Sequence, residues 1–131
     1  MISTKGRYAT RLMIDLAQQP SDTPVPLAKI AERQNISKKY LESIVKLLVG
    51  GKLVKAVSGK GGGYTLIRKP EDYTIWEILQ LTEESMSSVS CLMEGAESCP
   101  MEKKCHTISM WRDYDKLVKD YFSGITIQDL L

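Results

Sequence analysis

Along the first seventy residues the apolar positions change period, and each change marks an element. Tyr8, Leu12, Ile14, Leu16 and Ala17 recur at roughly helical spacing, which predicts a helix capped by Thr4 and running to about Gln19. The loop Pro20–Pro24 leads to a second, shorter helix opening at Pro26. A proline is tolerated there because the first helical N–H is unpaired in any case. Leu27, Ile30 and Ala31 share one face of this helix. Asn35 is suited to close it in a left-handed conformation, with Ile36 plugging inward. Ser37 then caps a third helix, in which Leu41, Ile44, Val45 and Leu48 fall at i, i+3, i+4 and i+7. Two helices joined so tightly must cross steeply, as in a helix-turn-helix.

After Gly50-Gly51 the pattern turns from helical to alternating. Leu53, Val54 and Val57 approach a tip at Ser58–Gly63, and Tyr64, Leu66 and Ile67 return from it. That is a β-hairpin whose tip needs positive φ, which glycine permits. The predicted fold is therefore mainly α with a small β-hairpin wing: a winged helix-turn-helix. A fourth helix over Thr74–Thr82 packs Ile75, Trp76, Ile78 and Leu79. Periodicity is lost from Glu83 to Cys99, a loop long enough to point to function or disorder. Pro100 is expected to restart a helix, with Cys99 near its N-cap and Cys105 about a turn and a half inside. Ile108, Trp111, Tyr114, Leu117, Val118, Tyr121 and Ile125 follow at threes and fours, Gly124 ends the helix, and Thr126–Leu131 forms a short amphipathic tail. This divides the chain into a DNA-binding domain (1–82), a cysteine-containing loop (83–99) and a dimerisation helix with its tail (100–131). So long and one-sided an apolar helix wants a partner helix. A homodimer burying Ile108, Trp111, Leu117, Val118 and Tyr121 is the economical answer.

Charge sharpens this picture. Residues 1–69 hold 13 Lys and Arg against 4 Asp and Glu, a net of +9, whereas residues 70–131 hold 5 against 12, a net of −7. Concentrating cations in the half with the helix-turn-helix suits phosphate contact. Expected DNA contacts are Lys5 and Arg7 on the first helix, and Ser37, Lys38, Lys39, Tyr40, Glu42, Ser43 and Lys46 on the third. Ser58 and Lys60 of the wing complete the set. The partner implied is duplex DNA with a palindromic operator matching the dimer's two-fold axis. No apolar run approaches membrane-spanning length and the first residues do not open a signal peptide, so a cytoplasmic, reduced protein is expected. One histidine leaves no Ser-His-Asp set, and an enzyme is not expected.

In such a compartment Cys91, Cys99 and Cys105, spaced C-x7-C-x5-C, are not expected to be disulfides. Three thiols within fifteen residues suit ligation of iron–sulfur, zinc or copper(I); the alternative is three free thiols on a loop.

KGRYA at Lys5–Ala9, PVPLAKIAERQNIS at Pro24–Ser37, YLE at Tyr40–Glu42, GGGY at Gly61–Tyr64 and the cysteine loop leading to Trp111 resemble the IscR/NsrR/CymR family. These are bacterial winged-helix transcription regulators, and the likeness spans nearly the whole chain. The resemblance implies a homodimer joined through the long helix, with a 2Fe-2S cluster in each protomer held by the three cysteines. With an incomplete or unusual fourth ligand, this chain's cluster is expected to be labile and lost in air. The family's iron–sulfur sensors use a histidine three residues after the last cysteine, where this chain has Ile108. The position of another member's acidic ligand is Arg7 here, and the wing arginine is Ser58. The fourth ligand is then His106, a loop carboxylate such as Glu94 or Glu97, or an exogenous group, with His106 placed first. The function implied is a sequence-specific repressor that senses iron–sulfur status and controls cluster-assembly or cysteine and sulfur genes. Two alternatives stand beside it. One is a cluster-free regulator gated by a protein partner or by thiol oxidation. The other is an iron–sulfur or zinc-binding carrier whose winged helix docks protein.

Overall fold

Two helices, α2 (Leu27–Gln34) and α3 (Lys38–Gly50), meet across the turn that the sequence requires. Asn35 takes a left-handed conformation at φ 53°, Ile36 is buried, and the Ser37 hydroxyl accepts the Tyr40 N–H at 3.0 Å. The computed structural model describes all 131 residues. Helix α1 (Thr4–Ala17) precedes this pair, strands β1 (Val54–Val57) and β2 (Gly63–Leu66) follow it, and α4 (Ile75–Thr82) and α5 (Ile108–Ser123) complete the chain. The core lies between α1, α2, α3 and α4, where Leu12, Met13, Ile30, Leu41, Ile44, Leu48 and Ile78 are fully buried.

The cap of α1 is Ser3 rather than Thr4. Its hydroxyl accepts the Gly6 N–H at 3.0 Å and donates to Glu83 Oε1 at 2.8 Å, and its own N–H donates to the same oxygen at 3.0 Å. A carboxylate from the end of α4 thus sits at the positive end of α1.

The wing pairs Val54 with Leu66 and Val57 with Gly63 in antiparallel register. Its tip turns through Gly59 and Gly61 at φ 88° and 77°. A third segment joins it: Val25 and Tyr64 exchange N–H···O bonds, both 2.9 Å, just ahead of α2. Gly63 is required for that approach, since a Cβ there would lie 2.3 Å from the Val25 carbonyl carbon. The base of the wing is fixed by Tyr73, which is fully buried. Its hydroxyl donates to Leu53 O at 2.6 Å and accepts the N–H groups of Ile67 and Arg68, each at 2.9 Å.

Two expectations about the C-terminal part need correction. The helix anticipated from Pro100 begins at Ile108. Residues 99–105 instead close successive i→i+3 turns, Glu102 N to Cys99 O at 3.0 Å and Lys104 N to Met101 O at 2.9 Å, and Cys105 is extended at φ −76°, ψ 113°. The reason is local: Glu102-Lys103-Lys104 carries no apolar stripe, so a helix there would have nothing to bury. Nor is the tail after Gly124 an appendage. Ile75 N bonds Ile125 O at 2.9 Å, Ile127 N bonds Tyr73 O at 3.1 Å, and Ile127 is fully buried. Ile127 belongs to the core between the first four helices, and residues 128–131 beyond it are exposed.

Candidate nucleic-acid interface and cysteine site

Helix α3 buries Leu41, Ile44, Val45 and Leu48, and that periodicity turns Lys38, Lys39, Glu42, Ser43 and Lys46 out to solvent. Its two serines are partly committed to the helix itself. Ser37 holds the cap, and Ser43 Oγ donates to Tyr40 O at 2.7 Å. Tyr40 is half-buried, edge-on to Tyr8 with ring centroids 5.7 Å apart. Arg7 and Arg11 lie over the Tyr8 ring at 5.9 and 5.3 Å, so α1 delivers two guanidinium groups to the flank of α3. Lys5 is half-exposed on the same helix, and Ser58 and Lys60 are exposed at the wing tip.

Three ion pairs form in the molecule: Arg33–Asp15, Arg68–Glu77 and Lys116–Asp120. None involves Lys5, Arg7, Lys38, Lys39, Lys46 or Lys60, which leaves those cations free for an external anion. Arg33 and Arg68 must be subtracted from the basic face. Arg33 is bidentate on the buried Asp15 at 2.6 and 3.0 Å, and that hydrogen bonding raises its pKa above the ordinary value. Arg68 bonds Glu77, which with Thr74 forms the capping box of α4. Burial pushes the Glu77 carboxyl up, but the Thr74 N–H and Arg68 together hold it below its usual value. The Glu83 carboxylate at the start of α1 also offsets part of the positive charge of Lys5 and Arg7 there.

The cysteines converge although the chain between them is irregular. Cys91 lies in a 3-10 turn (Ser90–Leu92), Cys99 precedes the turn Glu102–Lys104, and Cys105 follows it. All three line one cavity of about 170 Å³, together with Glu97, Glu102 and Arg112. Cys91 and Cys99 are exposed and Cys105 half-exposed, and none is in a disulfide. Met101 N–H approaches Cys99 Sγ at 3.4 Å, and Thr107 Oγ1 lies 3.5 Å from Cys105 Sγ. The Thr107 hydroxyl is the largest influence lowering the Cys105 thiol below its ordinary pKa, with the Thr107 and Ile108 N–H groups and Arg112 acting in the same direction. His106 is exposed and does not line the cavity, and neither does Glu94.

As they stand, no three His, Cys, Asp or Glu side chains approach closely enough to hold a metal ion. The donor set still suits a soft metal group: three thiols on one cavity, a guanidinium beside it, and short turns that few hydrogen bonds hold. Sequence reasoning missed Glu102 and Arg112. Glu102 was legible in principle, since it stands three residues from Cys99 and three from Cys105.

On α5, Met110, Tyr114, Leu117 and Tyr121 are exposed at i, i+4, i+7 and i+11, and none of the helix's 16 residues is buried. Trp111, Val118 and Ile108 are half-exposed beside them. With Met1, Ile2 and Met86, part of this stripe borders an open groove of about 910 Å³. No helix is long and apolar enough to cross a membrane.

These features agree with three comparisons. Residues 2–131 match the model of the Rrf2 family, described as an iron-dependent transcriptional regulator. The HTH-type transcriptional regulator IscR of Aliivibrio salmonicida is 37% identical over 130 residues, 99% of this chain and 76% of that protein. Among solved structures, CymR, the global cysteine regulator of B. subtilis, superposes with a TM-score of 0.78 at 35% identity, covering 99% of this chain and 95% of the other. IscR of T. potens does so with a TM-score of 0.75 at 35% identity, covering 99% and 85%. A winged helix with an unpaired basic face, matched from end to end by named transcription regulators, places this chain in the Rrf2 family: it is a DNA-binding transcription regulator, not an enzyme.

Proposed function

We propose that this chain acts in the cytoplasm as a homodimeric repressor whose hold on a palindromic operator responds to an iron–sulfur group bound by Cys91, Cys99 and Cys105. The observation that carries the reading is the convergence of all three thiols on one cavity at the start of α5. The family's description as an iron-dependent regulator, and the naming of CymR as a global cysteine regulator, support iron–sulfur status as the signal and cluster-assembly or sulfur genes as the targets. Bound there, an iron–sulfur group supplies metal–thiolate links between three points of an otherwise loosely held loop.

The chain's own residues do the rest. Lys38, Lys39 and Glu42 face base edges from the first turns of α3, while Lys5, Arg7, Lys46, Ser58 and Lys60 meet backbone phosphates. Ile108, Trp111, Leu117, Val118 and Tyr121 meet their counterparts on a second copy, since Leu117 and Tyr121 stay largely exposed and the other three only half-buried in their own chain. The loop that follows α4 connects the two functions. Its Met93 borders a cavity shared with Ser3, Lys5 and Tyr40, so rearranging the loop bears on the start of α1 and the flank of α3.

The test is anaerobic reconstitution of the wild-type chain and of a triple Cys→Ser variant, followed by iron and sulfide analysis and operator binding. Iron and colour in the wild type alone, with a change in operator affinity, are expected. Equal iron in both overturns the site. A second reading, a cluster-free gate working by thiol oxidation, is favoured by the lowered Cys105 thiol. It is supported instead if peroxide changes operator affinity in wild type that takes up no iron.

A further inference from the structure

Four donors complete an iron–sulfur site, and the three cysteines supply three. The geometry points to Glu102 as the fourth; this rests on the iron–sulfur reading above and goes beyond it by naming the residue and its chemistry.

The argument begins with the backbone between Cys99 and Cys105. Glu102 N donates to Cys99 O at 3.0 Å and Lys104 N to Met101 O at 2.9 Å, so this run has a 3-10 character with three residues per turn. The 3-10 helix itself covers only Glu102–Lys104, so Cys99 and Cys105 flank it and Glu102 stands three residues from each of them. All three line the same cavity, with Cys91 joining them from the preceding turn.

His106 fails the same test. Cys105 is extended at φ −76°, ψ 113°, and successive side chains on extended backbone point to opposite faces. With Cys105 toward the cavity, His106 is directed away; it is exposed and is not part of the lining. Glu97 also lines the cavity, but its N–H and C=O form no backbone hydrogen bond that fixes it relative to any cysteine. Glu102 is fixed to Cys99 by its own N–H. Arg112, on the same cavity, offsets the negative charge that a carboxylate adds to three thiolates.

A carboxylate oxygen is a harder donor than sulfur or imidazole, so the two irons of such a site are inequivalent, one bound by two thiolates and the other by thiolate and oxygen. The experiment is anaerobic reconstitution of wild type, Glu102→Cys, Glu102→Gln and His106→Ala, read by iron and sulfide content and by Mössbauer and absorption spectra. Wild type should show two unlike iron sites. Glu102→Cys should merge them into one tetrathiolate type with intensified charge-transfer absorption. Glu102→Gln should shift the spectrum of the unlike iron and speed cluster loss in air, while His106→Ala leaves the spectra unchanged. A spectrum altered in His106→Ala and unaltered in both Glu102 variants overturns Glu102 alone and leaves the three-cysteine site standing. Wild type that takes up neither iron nor sulfide overturns the iron–sulfur reading and this assignment together.

Discussion

At Cys105 a neighbouring hydroxyl bears on the thiol. Thr107 lies 3.5 Å from the sulfur and leads the groups that lower its pKa, so the thiolate fraction at neutral pH exceeds that of an ordinary cysteine. In a metal-free Cys91→Ser/Cys99→Ser variant, the rate of alkylation by iodoacetamide should rise with pH through a midpoint below the ordinary thiol value. Adding Thr107→Val should move that midpoint up. An unmoved midpoint assigns the lowering to the helix start and Arg112 instead. Ser37 shows what the sequence could and could not say at this scale. Its place before a helical apolar repeat announced the cap, and the cap is there. The same position also suggested a base contact, but a hydroxyl accepting the Tyr40 N–H has less freedom to read a base. Ser37→Ala should therefore lower thermal stability by about 1 kcal/mol, measured by denaturant unfolding, with little change in sequence preference. A changed preference at unchanged stability would restore it as a reader.

Among elements the wing is the most exposed to test. Lys60 stands at its tip with no ion pair, so Lys60→Ala should weaken binding to all duplexes alike. The log–log salt slope should fall by about 0.9, one phosphate's worth. An unchanged slope removes the wing tip from the interface. Gly63→Ala should act on the other end of the element by prising β2 from Val25, lowering stability and DNA affinity together. The hairpin itself was legible because its alternation and glycine tip are local signals. The Val25–Tyr64 bridge was not, since it joins residues far apart and shows no period in either segment. The same contrast explains α5. Its apolar stripe from Ile108 fixed the helix, while Pro100 suggested an earlier start that only the missing stripe over 102–104 could have ruled out.

For the whole molecule the proposed dimer would set what the regulator can recognise. Two α3 helices must reach successive major grooves, roughly 34 Å apart, which one protomer alone cannot do. Leu117 is 69% exposed at the centre of the α5 stripe. Leu117→Asp should give monomers in sedimentation velocity and reduce operator affinity to the non-specific level while α3 and the wing remain folded by circular dichroism. Wild type that sediments as a monomer at micromolar concentration overturns the α5 interface.

The burial of Ile127, whose N–H bonds the Tyr73 carbonyl, has a consequence for how the protein is made. Every other fully buried residue lies at or before Ile78, so the first domain waits for an isoleucine that the ribosome adds about fifty residues later. At roughly 5–20 residues per second that is a delay of about 2–10 s. During it the Tyr73 carbonyl and the Ile75 N–H lack their Ile127 and Ile125 partners. The core is therefore closed only after α5 has been made, because the residue that completes it lies beyond that helix.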